Sequence, residues 1–231
     1  MVKLYLSSPA IRVKSNIATQ MNNSKVILAR YQQAYADLGF ERSGLFKFIL
    51  QQYHPQQVLY PGCSIHLTPA FYFPHVIFVD QDPQAMDFFS NQEMVSGLVR
   101  RRRIYRRMPY FQFLFQDFTQ PLPLLENQFD LLLALYTGGV SPACKSYLNK
   151  GGYYLTNNHQ DDALTAFQDD ALALIAVVRE HQGKYRCVDF DPRQPFKDEK
   201  RASQSKRYLR QTSRGIEYIE NERYYIFRRV K

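Results

Sequence analysis

The sequence predicts an α/β fold: a doubly wound, mostly parallel, seven-stranded sheet with an N-terminal helical extension. Three observations support it. The run Val58-Leu59-Tyr60-Pro61-Gly62-Cys63-Ser64 feeds an apolar strand into a glycine turn, and a second apolar strand ends on Asp80, eighteen positions after Gly62. Backbone can approach a ligand at such a glycine, and an acid at about that distance can take ribose hydroxyls. From residue 56 onward, short β-branched or aromatic runs alternate with helical stretches, the pattern of a sheet covered on both faces. Finally, Phe129-Asp130-Leu131-Leu132-Leu133-Ala134-Leu135 is apolar on both sides, as a central parallel strand requires.

Taken in order, residues 1–55 read as a helical extension and residues 56–231 as the sheet domain. Ile11, Ile17, Met21, Val26, Ile27, Leu28, Tyr31 and Tyr35 recur at helical spacing, and Gly39 ends that helix. Ser43 is placed to cap a second helix over 44–53, which Pro55 closes. Strands are expected near 58–61, 76–80, 111–116, 129–135, 152–157, 185–190 and 223–229, and helices at about 69–73, 83–103, 141–148 and 161–181. Pro69 can start the first of these helices, and Pro74 must stop it within a few residues. Asp82-Pro83 reads as an N-cap with proline in the first helical position.

Bulk properties narrow the function. The 231 residues are 45% hydrophobic, which is ample for a core, and contain no apolar run long enough for a membrane span. Three widely spaced cysteines, Cys63, Cys144 and Cys187, form no CxxC pair and fit a reduced, cytoplasmic protein without structural zinc. The net charge of +9 is concentrated in two places. Arg100, Arg101, Arg102, Arg103, Arg106 and Arg107 fall within eight residues, and the stretch 193–214, with Lys206, Arg207 and Arg210, carries a net +6. Such clusters favour an anionic partner, nucleic acid among them, with Tyr105, Tyr110 and Tyr208 available for stacking. Exposed arginines at a helix end are also commonly just solvated.

In strand order and landmarks, residues 56–231 resemble the class I S-adenosylmethionine-dependent methyltransferases. That family opens with an acid and a GxGxG turn. Here Tyr60 stands for the acid, Gly62 is kept, and Ser64 and His66 replace the second and third glycines. Phe115-Gln116-Asp117-Phe118 resembles the segment that touches the adenine amine, and Leu148-Asn149-Lys150-Gly151-Gly152 the approach to strand five. The resemblance implies an S-adenosylmethionine cofactor at Gly62, Cys63, Ser64, Asp80, Asp117, Leu135 and Tyr136, and a methyl acceptor the sequence does not name.

Each position also has a plainer role. Asp80 is equally suited to accept backbone donors in the turn, and Asp117 to be a polar loop residue. His66 either donates to a ligand or fills the site of the lost glycine. His159, just past the fifth strand, is the candidate proton acceptor, or a loop residue. Tyr136-Thr137-Gly138-Gly139 lacks the Asn/Asp-Pro-Pro-aromatic tetrad of amino-methylating enzymes, which disfavours adenine N6 or glutamine amide as acceptor. The alternative to an enzyme is a non-catalytic domain of the same fold that binds nucleic acid or another anion through its basic clusters.

Overall fold

The computed structural model describes residues 24–197, 207–212, 215–220 and 222–231. Expectations for residues 1–23, and for Lys206, lie outside them. The main sheet has eight strands in the order β3-β2-β1-β4-β5-β10-β6-β7. These are β1 (Gln57–Pro61), β2 (His75–Asp80), β3 (Tyr110–Phe115), β4 (Phe129–Ala134), β5 (Leu148–Thr156), β6 (Leu172–His181), β7 (Lys184–Val188) and β10 (Arg223–Arg229). A separate hairpin pairs β8 (Arg207–Thr212) with β9 (Gly215–Glu220). The first five strands pair in parallel, whereas β10 runs antiparallel to both β5 and β6 and β7 folds back on β6.

Alternation along each central strand assigns residues to two cores. Val58, Tyr60, Val76, Phe78, Leu131 and Leu133 enter one. Leu59, Ile77, Val79, Leu132 and Ala134 enter the other. The doubly apolar strand Phe129–Leu135 is therefore explained by burial on both faces. The first core is covered by α1 (residues 24–31), α2 (Ser43–Tyr53), α3 (Pro69–Tyr72), α4 (Pro83–Ser90) and α5 (Gln92–Arg102). The second lies under α6 (Val140–Cys144) and α7 (Asp162–Phe167). No helix among the described residues is long and apolar enough to cross a membrane.

Several sequence expectations need correction. The helix expected over 161–181 is only α7, and β6 occupies 172–181 instead. The Leu- and Ala-rich start of that segment reads as helix, but Val177 and Val178 are buried on opposite faces between two antiparallel partners. Sheet burial overrides a weak local preference. The strand expected at 185–190 is β7, paired outside β6, so β6 is the eighth strand of the main sheet. The helix expected over 83–103 is broken at Asn91, whose side chain accepts from Met94 N and caps α5. The cap of α2 is occupied by Arg42 rather than Ser43, at φ 53°. By contrast, the Asp82 side chain accepts from Gln84 N with Pro83 following, the N-cap that was expected.

Candidate functional site

The residues singled out in the sequence converge at the carboxyl edge of the parallel strands, where doubly wound sheets place ligands. β1 ends in a turn in which Gly62 has φ +63° and Ser64 φ +48°. Asp80, at the end of β2 and 8% exposed, explains how a non-glycine residue is held there. One of its carboxylate oxygens accepts from Ser64 N at 2.6 Å and the other from Asp82 N at 2.9 Å. Asp80 thus organises the turn. Asp117, after β3, accepts from the Thr119 N–H and hydroxyl at 2.9 and 2.8 Å, a local Asx turn. Cys63 and Leu135 are buried.

The glycine turn is packed by protein. A Cβ built on Gly62 would lie 2.3 Å from Thr137 Oγ1, and that hydroxyl reaches Gly62 O at 3.2 Å. His66 does not face the turn. It is buried against Tyr35, with ring centroids 4.5 Å apart and planes 7° from parallel, and its ring nitrogens meet Tyr60 Oη at 3.0 Å and Glu41 O at 3.2 Å. The imidazole occupies the place of the lost glycine as part of the core. α3 is four residues long, so it offers little helix dipole behind the turn.

Beside the turn lies a buried polar cluster that sequence reasoning missed. Arg42, 5% exposed, donates through Nε to Tyr224 Oη at 3.0 Å, and its guanidinium carbon sits 3.6 Å from the Phe40 ring centroid and 4.8 Å from that of Tyr136. Its Nη2 is buried without a hydrogen-bond partner. Burial opposes its charge, but the surrounding tyrosines and Glu222 outweigh that, and the guanidinium is held charged. The Tyr136 hydroxyl donates to Glu222, and Asn157 Oδ1 accepts from Tyr136 N at 3.1 Å. His159 is half-buried, its ring 5.7 Å from that of Tyr136. Only the order of strands reveals this cluster. β10 enters the sheet from the carboxyl edge, bringing Glu222 and Tyr224 to Tyr136 across 86 and 88 residues of chain.

A second missed residue is Asp162. It is 1% exposed, accepts from Val140 N at 2.9 Å and from the Tyr154 hydroxyl, and so pins the loop after β4 to the start of α7. Burial pushes its carboxyl up to about 6, despite opposing backbone N–H donors. A paired acid at 161–162 resembles an ordinary helix start and gives no signal of this role.

The arginine run sits elsewhere. Ile104 N donates to Phe71 O and Tyr110 N to Pro74 O, which places residues 103–109 at the amino ends of β2 and β3, away from Asp80. Arg102 forms a two-pronged pair with Glu41 at 2.5 and 2.6 Å, and Arg103 donates to Arg107 O. Arg100, Arg101, Arg106 and Arg107 remain exposed. Arg207 and Arg210 stand opposite Glu220 and Glu217 in the β8–β9 register.

No protein-family model and no curated protein matches the chain. Solved structures match by shape. A branched-chain polyamine synthase mutein from Thermus thermophilus, in complex with N4-aminopropylspermidine and 5'-methylthioadenosine, is similar with a TM-score of 0.50 at 11% identity, over 90% of this chain and 63% of that one. A methyltransferase from Geobacter sulfurreducens gives a TM-score of 0.47 at 10% identity over 89% of both chains. An S-adenosylhomocysteine-bound methyltransferase from Podospora anserina gives 0.44 at 11% identity, over 76% of this chain and 94% of that one. The structural neighbours are mostly methyltransferases. At such identities the likeness concerns the fold alone, a Rossmann-like α/β sheet covered by helices on both faces.

The residues at the edge fit the nucleoside half of an S-adenosyl group. Asp80 stands at the end of β2, and Asp117 and Phe118 follow β3, the positions that would hold it. The amino-acid half fits only if Thr137 withdraws from Gly62.

Proposed function

We propose that the chain is an S-adenosylmethionine-dependent methyltransferase whose nucleoside is held at Asp80. The observation carrying this reading is the buried Asp80 carboxylate at the end of β2, bonded to the glycine turn it faces. When bound, the cofactor supplies an electrophilic methyl group for direct displacement by an acceptor lone pair. The chain's own task is alignment and exclusion of water. Leu135 and Tyr136 border the reacting region, and the Tyr136 ring is fixed by Glu222 and by the Arg42 guanidinium. His159, beside Tyr136, is placed to take a proton from an acceptor that must lose one.

Titration calorimetry with S-adenosylhomocysteine tests this. Wild type is expected to bind, Thr137→Ala to bind more tightly because the space over Gly62 opens, and Asp80→Ala to bind at least about tenfold more weakly, as loss of charge-assisted bonds implies. Circular dichroism separates lost binding from lost folding. Absence of heat from both wild type and Thr137→Ala at about millimolar ligand would end this reading.

A second reading, a non-catalytic binding domain on the same fold, is favoured by one observation: the Thr137 side chain filling the space over Gly62. Its signature is salt-sensitive binding of an anionic partner that the adenosyl ligand does not alter.

A further inference from the structure

The two edges of the main sheet are guarded differently. β7, at one edge, carries Lys184 and Arg186 at exposed positions, the kind of charge that keeps an edge strand from pairing. β3, at the other edge, reads Tyr110-Phe111-Gln112-Phe113-Leu114-Phe115, and no charged residue lies between Arg107 and Asp117. Its register with β2 is unbroken from Tyr110 to Phe115, so no bulge turns this edge away. Among the described residues, no strand pairs with its outer side. Tyr110 N donates to Pro74 O and Gln116 N to Asp80 O, both on the β2 side. Backbone direction alternates along a strand, so the N–H and C=O groups of Phe111, Phe113 and Phe115 point outward.

Beside this edge runs a groove. A cavity of about 580 Å³ lies between β3 and the α4–α5 pair, lined by Met86, Phe89, Gln92 and Ser96 together with Phe111 and Phe113. Tyr110 and Phe115, at the two ends of the strand, are 53% and 51% exposed. A flat apolar edge of this kind is a template for another strand.

Charge at the two ends of β3 selects that strand. Arg106 and Arg107 stand exposed before its amino end, whereas Asp82 and Asp117 follow the carboxyl ends of β2 and β3. The strand that complements both ends is β3 of a second copy, running antiparallel. Pairing centred on Phe113 sets Phe111 of each copy opposite Phe115 of the other, which uses all three outward-facing residues. It also brings Arg106 and Arg107 of one copy toward Asp117 of the other. The two arginine runs then lie at opposite ends of a joint about 20 Å long, beyond the roughly 8 Å over which charges act in physiological salt. Parallel pairing would instead set the runs side by side. A two-fold joint also closes, because each edge covers the other and no further copy can add.

We propose that the chain forms a two-fold dimer through antiparallel pairing of its β3 edges, with Phe115 of each copy buried beside Phe111 of the other at the α4–α5 groove. The proposal does not rest on the adenosyl reading.

Sedimentation velocity on the full chain from about 1 to 100 μM tests it, with hydrogen exchange read at both ends of that range. A dimer is expected at the upper end, where the amides of Phe111, Phe113 and Phe115 should exchange more slowly than on dilution. Phe115→Lys places a charge in the joint twice over and should weaken association at least about tenfold. Val230→Lys, at an equally exposed apolar position after β10, should associate as wild type does. Thermal unfolding checks that both variants fold, and the exchange measurement on wild type decides without any variant. A single-copy mass throughout the range overturns the proposal. So does a dimer that folded Phe115→Lys leaves intact, or one in which those three amides exchange equally fast at both concentrations.

Discussion

The turn after β1 and the hairpin between β6 and β7 stand at the same edge of one sheet and handle polar groups in opposite ways. At the turn, protein answers protein: Asp80 is met by two backbone N–H groups, and Thr137 packs on Gly62. At the hairpin, Arg186 and Arg223 flank Arg179 in direct register, and the carboxylates beside them in sequence serve the other face. The difference teaches where an external ligand gains most. A site packed by its own side chains must give up internal contacts before it binds, whereas Lys184 and Arg186 of the hairpin stand exposed.

The largest effect is expected where the turn is packed most tightly. Gly62→Ala puts a methyl group into Thr137 at a backbone conformation that L side chains avoid, and should destabilise the fold by about 3–5 kcal/mol. Chemical denaturation checks it. Adding Thr137→Gly should recover a large part of the loss, and a double variant no more stable than the single one would contradict the packing described.

Next comes Asp162, which holds the loop carrying Thr137. Its carboxyl titrates near 6 in the fold against an ordinary value of 3.8. The folded chain therefore binds this proton more tightly than the unfolded one. The resulting stabilisation is full below about pH 4 and is lost as pH rises through about 6, a swing of about 3 kcal/mol. Asp162→Asn should flatten the stability profile between those limits, and an unchanged slope would place the titration elsewhere.

The smallest effect belongs to the hairpin. Arg186 is exposed, so Arg186→Gln should change stability by no more than about 0.5 kcal/mol, which thermal unfolding checks. A larger loss would mean that the Arg186 side chain carries a contact the fold depends on.

Much of this was legible in the sequence. The strands ending at Pro61, Asp80 and Ala134, the cap at Asp82 and the short helix between Pro69 and Pro74 all follow from local pattern, because apolar runs, prolines and caps act through near neighbours. The missed strand β6 shows the limit. Leu172-Ala173-Leu174 reads as helix, and only pairing with β10 and β7 on either side makes it extended. Local preference is worth tenths of a kcal/mol per residue, and burial in a sheet outweighs it.

What the sequence by itself determined was the α/β class, the central parallel strands and the convergence of Gly62, Asp80 and Tyr136 at one edge. Tertiary structure alone decided what stands against them. Thr137 is 75 residues from Gly62, Glu222 is 86 from Tyr136, and Arg223 is 44 from Arg179. Such contacts depend on strand order and register. A single antiparallel strand inserted between β5 and β6 sets both, and with them which charges are buried, paired or left abreast.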